Sequence, residues 1–170
     1  YGASAYFLTK KLTGNYKASI WATIFTYFAG SWGYLIGKSE SVFWATQPQS
    51  SIGNPPQIIS DFMFLSAIYF VLNFVKATDK KEKLNNFIYS FLILATISSF
   101  KIYAGIVLLG TLAIIGTYNL IVKRDKDLFL LTLISGITAL AIYLPNASGT
   151  KGFLIFEPWW YIRTMIVEPS

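Results

Sequence analysis

The sequence predicts an all-α fold, a polytopic transmembrane helix bundle of about six spans, and three observations carry that reading. Hydrophobic residues make up 54% of the chain and charged residues only 13%. A soluble domain carries ~25% charged residues, so this chain lacks the polar surface to cover itself in water. Residues 102–122 form an unbroken run of 21 positions without a charge, and ~20 apolar residues are enough for a helix to cross a ~30 Å hydrocarbon core. Lysines and arginines gather at alternate ends of such runs. The apolar runs are continuous, which points to helices rather than to a barrel of ~10-residue alternating strands.

In chain order, a first apolar stretch covers residues 1–9 and ends at Lys10 and Lys11, before a Thr-Gly-Asn turn. A second span covers residues 18–36, with the small residues Ala29, Gly30, Ser31 and Gly33 near its end, a composition that lets membrane helices approach closely. Residues 37–57 form a polar loop. Pro48, Pro55 and Pro56 argue against regular helix there, and Phe43-Trp44 suit a segment resting at the headgroup level. The third span, residues 58–75, has Asp61 near its start. A charged turn from Lys76 to Lys83 leads into a fourth span at 84–100 and a fifth at 102–122. Lys101 is the only charge between these two, which places it in a tight helical hairpin. Lys123, Arg124, Asp125, Lys126 and Asp127 close the pair, 128–144 is the sixth span, and Pro145 is expected to end it. The second long loop, residues 145–170, contains Trp159, Trp160 and Tyr161 ahead of Arg163, a pattern suited to an interfacial helix. The chain begins at Tyr1, already inside an apolar helix, and the expectation is a fragment of a larger membrane protein.

The charges set an expected orientation. Ten of the 14 lysines and arginines fall in the turns after spans one, three and five, and Lys38, Lys101, Lys151 and Arg163 fall on the other side. Under the positive-inside rule the basic turns are cytoplasmic. The long loops then face outward, and long loops are where function concentrates. The expected location is the plasma membrane of a bacterium or archaeon, with the lipid bilayer as the first partner. Basic turns beside membrane spans are accounted for by topology, so no nucleic acid is expected.

The candidate chemistry is sparse. Without histidine or cysteine, the commonest general base and the usual metal ligands are missing, leaving Asp, Glu, Lys and Tyr for acid–base work. No metal-ligand cluster stands in the sequence, so no metal is expected and any cofactor is unknown. Lys101 either extends to the headgroups or contacts a lipid phosphate or pyrophosphate. Asp61 reads as a first-turn residue favoured by the helix dipole, with a buried functional carboxylate as the alternative. Trp159 and Trp160 fit an interfacial belt or a sugar platform, and Arg163 a headgroup contact or a phosphate fork.

Two stretches carry a family resemblance. Tyr6-Phe-Leu-Thr-Lys-Lys-Leu, followed after a gap by Ala22-Thr-Ile-Phe-Thr-Tyr-Phe-Ala-Gly-Ser, and Leu94-Ala-Thr-Ile-Ser-Ser-Phe-Lys-Ile-Tyr-Ala-Gly resemble segments of GT-C superfamily polytopic membrane glycosyltransferases, including the protein O-mannosyltransferase-like group. The resemblance covers most of residues 6–37 and 90–144. It implies a multi-helix enzyme that moves a sugar from a polyprenyl-phosphate donor to an acceptor on the extracytoplasmic face. In that family the catalytic base is a carboxylate in an early outer loop, upstream of the matched region, and no acidic pair of that kind stands here. Only Lys101 corresponds to a family position, on the lipid-phosphate side of the site. The alternatives are a membrane transporter or lipid flippase, which needs polar or broken helices near the midplane, and a non-catalytic polysaccharide-export membrane subunit.

Overall fold

A computed structural model of the chain describes residues 1–28 and 55–147. The described residues are all-helical, without strands. The elements are α1 (Gly2–Thr13), α2 (Tyr16–Phe28), α3 (Pro55–Lys76), α4 (Lys80–Phe100), α5 (Ile102–Tyr118), a π turn (Asn119–Lys123) that continues α5, and α6 (Asp127–Ala147).

Among the described residues three helical segments, not six, combine the length and the apolarity needed to cross a membrane. They are Pro55–Lys76, Ile102–Lys123 and Asp127–Pro145, of 22, 22 and 19 residues. The expected first span is the 12-residue α1, whose last turn holds Lys10 and Lys11; at ~1.5 Å per residue it is roughly 18 Å long. The expected second span is described only as far as Phe28, as the 13-residue α2. The fourth is the 21-residue α4, but its first four residues are Lys80, Lys81, Glu82 and Lys83, so the charges expected in a turn instead occupy helix.

Prolines mark two further differences. Pro55 and Pro56 open α3 rather than lying in a loop. A proline in the first turn lacks only an N–H that has no intrahelical partner there, and its fixed φ is already helical. Pro145 does not end α6, which continues to Ala147. The residues 29–54 and 148–170, with the small-residue group, Phe43-Trp44 and most of both long loops, lie outside the described residues.

Local chemistry explains the boundaries. Gly14 ends α1 with φ of 68°, a left-handed conformation that costs glycine least. Asn15 then caps α2, its Oδ1 accepting from the N–H groups of Lys17 and Ala18. Asp79 caps α4 by accepting the Glu82 N–H at 2.9 Å, and Asp125 accepts the Asp127 N–H at 3.0 Å where α6 begins.

Helix α4 is the centre of the packing: it lies against α3, α5 and α6, while α1 rests on α2 and α3. The core is continuous across these elements, from Met63, Ala67, Val71 and Phe74 through Leu94 and Ile97 to Leu108, Leu112 and Leu131. Small and polar residues share it: Ser60, Ser90 and Ser135 are fully buried, and Ser4 and Ser66 join α1 to α3 through hydroxyls 3.1 Å apart. The outward faces are apolar. Ile114 is 74% exposed, Ile121 72% and Ile137 61%. An apolar outer face thus surrounds a core in which serines sit beside aliphatic side chains. It fits a hydrocarbon surround, in which small residues line the helix contacts and apolar side chains face lipid.

Candidate functional site

Three helix ends meet at one end of the bundle: the start of α3, the end of α4 and the start of α5. Lys101 is the single non-helical residue between α4 and α5, with φ −146° and ψ 111°. Its N–H donates to the Ile97 carbonyl at 3.2 Å, and its own carbonyl accepts from Ala104 at 3.2 Å and Gly105 at 3.4 Å. One residue thus closes one helix and opens the next, a tighter elbow than most helix connections of 2–8 residues. Lys101 is half-buried, and no carboxylate among the described residues lies within ion-pair distance of its ammonium.

Beside the elbow a chain of hydrogen bonds crosses from α5 to α3. The Tyr103 hydroxyl donates to Gln57 Oε1, and Gln57 Nε2 donates to Asp61 Oδ1 at 2.7 Å. Asp61 is therefore not a first-turn residue. With α3 starting at Pro55, the first turn holds no acid and Asp61 is the seventh residue of the helix, beyond the free N–H groups where a dipole effect is felt. It is half-buried, held by an amide four residues earlier.

The structure thus brings Asp61 and Lys101 to one end of the bundle without pairing them, and adds Tyr103 and Gln57, which sequence reading did not single out. The Gln57–Asp61 spacing of four is a helical signal, hidden as long as Pro55 and Pro56 are read as loop. Arg163, Trp159 and Trp160 lie outside the described residues. Among the described residues no group of three or more Asp or Glu side chains could hold a metal. The elbow end of the bundle thus holds one cation, Lys101, beside a phenol and a carboxylate that are linked to each other through Gln57. Compared with family models, curated proteins and solved structures, the chain matches none.

Proposed function

We propose that this chain is the membrane bundle of a glycosyltransferase that takes a sugar from a polyprenyl-phosphate donor and passes it to an acceptor on the extracytoplasmic face. The observation that carries this reading is Lys101: a lysine without a carboxylate partner among the described residues, set at a one-residue elbow between two apolar helices. The likeness of the segment around it to GT-C transferases gives the donor class. Lys101 would neutralise the leaving phosphate, and Asp61, Gln57 and Tyr103 would fix the mouth of the site.

In this reading α4 is a further span. It is packed among the three long apolar helices, and its uncharged part, residues 84–100, covers roughly 25 Å at ~1.5 Å per residue. A count of about six adds α1 and α2. The helix ends and turns carrying Lys76, Lys80, Lys81, Lys123, Arg124 and Lys126 face the cytoplasm, so the elbow faces out. A transporter needs helices interrupted near the midplane; the π turn interrupts α5 only at its cytoplasmic end, at residues 119–123.

The test is binding in lipid nanodiscs of polyprenyl phosphate against the uncharged polyprenol. The phosphate should bind preferentially, Lys101→Ala should weaken it by about tenfold, ~1.4 kcal/mol, and Lys101→Arg should retain it. Equal binding of the two lipids, or an unaffected Lys101→Ala variant, removes Lys101 and the proposed donor together.

A further inference from the structure

Helices α3 and α5 both lean on α4 and touch each other only sparsely. Between them runs an open groove of about 470 Å³, walled by Phe64 and Val71 of α3 and by Leu108 and Leu112 of α5. That volume is within the ~300–1,000 Å³ of ordinary ligand pockets. Along α3 it extends from Phe64 to Val75, eleven residues or roughly 16 Å at ~1.5 Å per residue. That is about one leaflet of a ~30 Å hydrocarbon core.

The groove changes character at one end. There it reaches Asn119 and Lys123 of the π turn, where α5 widens and the backbone reverses through Arg124 at φ 55°. The Asn119 carbonyl is used in that reversal, accepting from Arg124 and, at 3.1 Å, from Asp125. Lys123, Arg124 and Lys126 lie there with Asp125 and Asp127 among them, Asp127 being paired with Lys83, and Lys76 ends α3 at the same end of the bundle. An apolar channel one leaflet long, with a cationic mouth, has the chemistry of a lipid with an anionic head.

We infer that the α3–α5 groove binds one acyl chain of an anionic phospholipid from the leaflet beside the basic turns, with its phosphate held at Lys123. Each part of the occupant answers a feature of the site. The chain length matches the groove, the hydrocarbon matches its walls, and the phosphate matches an ammonium that has no carboxylate partner among the described residues. This inference needs only the bilayer. The groove's mouth and Lys101 lie at opposite ends of the 22-residue segment Ile102–Lys123, so the sugar-transfer reading and this one fail separately.

The experiment uses the full chain in nanodiscs with phosphatidylglycerol bearing a photoactivatable group in its acyl chain. Adducts are expected on residues 64–75 and 108–115, with competition by unlabelled phosphatidylglycerol but not by phosphatidylcholine. Lys123→Ala should weaken that competition about tenfold, or ~1.4 kcal/mol, while Lys123→Arg keeps it. Thr111→Trp, at an exposed position on the groove wall, should displace the adducts while helicity by circular dichroism is unchanged. Four results overturn the inference: adducts spread evenly over outward positions such as Ile114 and Ile137; equal competition by phosphatidylcholine; a Lys123→Ala variant that competes like the parent; or crosslinks from the groove to residues 29–54, to residues 148–170 or to a second copy, which show that protein covers it.

Discussion

Gly105 on α5 stands so close to Ser98 on α4 that a Cβ added to the glycine would lie 1.9 Å from the serine Oγ, 3.0 Å from its Cβ and 3.2 Å from its Cα. Rotation of the serine hydroxyl relieves only the first of these contacts. The two helices leaving the Lys101 elbow are therefore in contact almost at backbone level. This is the close approach that small residues permit in membrane helix pairs.

Gly105→Ala should consequently open the elbow and lower the melting temperature in detergent, at an overpacking cost of about 1–3 kcal/mol. Ser98→Gly added to it should recover part of the loss, since the nearest clash is with the serine side chain. A Gly105→Ala protein that melts with the parent would show that the helices do not meet as described.

The starts of α4 and α6 are tied by an ion pair between Lys83 and Asp127, and the Lys83 ammonium also lies 5.7 Å from the centre of the Phe74 ring. The hydrogen bond to Asp127 is the main cause that raises the Lys83 pKa. Burial opposes it, and the charges of Asp127 and Asp125 add to it. A lysine raised in the folded state stabilises fully below its unfolded value of ~10.4 and loses that contribution as pH climbs through the folded value. The side chains are 41% and 39% exposed, so solvent screening limits the coupling to about 0.2–1 kcal/mol. A double-mutant cycle with Lys83→Met and Asp127→Asn should give that coupling at pH 7 and a smaller one above pH ~10.4. A coupling that grows with alkalinity contradicts the pair.

Ile114 is the most exposed large hydrophobic among the described residues, at 74%, and it sits midway along Ile102–Lys123. In water, a lysine at such a position is nearly neutral, because surface substitutions change stability by less than ~0.5 kcal/mol. At the centre of a bilayer it costs roughly 2.5–3.5 kcal/mol. Ile114→Lys should therefore sharply reduce membrane insertion, measured as the fraction resistant to carbonate extraction, whereas Ile114→Leu should not. Equal insertion of both variants would argue that this face does not meet lipid.

The ends of the helices were readable where a residue has a local backbone consequence. Lys101 interrupts two apolar runs and is the elbow between them, and Gly14 stops α1 beside its two lysines. The places of Asp61 and of the proline pair depend on each other. Proline is costly in a helix interior but favoured in a first turn, and that distinction depends on where the helix begins. Moving the start of α3 back to Pro55 carries Asp61 out of the first turn and brings Gln57 onto its face. The lysine-rich start of α4 reads as a turn if charge is equated with loop, whereas Asp79 caps those residues into helix. Tyr103 could not be joined to Gln57 by any local rule, being 46 residues away.

Sequence alone determined that this is a chain of apolar helices punctuated by charge, because scarce charge calls for a backbone satisfied internally, and continuous apolar runs satisfy it as helices rather than as the alternating strands of a barrel. It did not determine which side of each helix is inside. Lipid is as apolar as leucine, so burial in protein and exposure to lipid solvate an aliphatic side chain almost equally well, and hydropathy hardly varies around α5. Tertiary structure made that choice through fit. Ser60, Ser90 and Ser135 turn inward, Gly105 and Gly116 lie against neighbouring helices, and the isoleucines of α5 and α6 are left facing out. Close packing of small side chains, rather than a hydrophobic drive, orients these helices, and their order around α4 leaves the groove between α3 and α5 open.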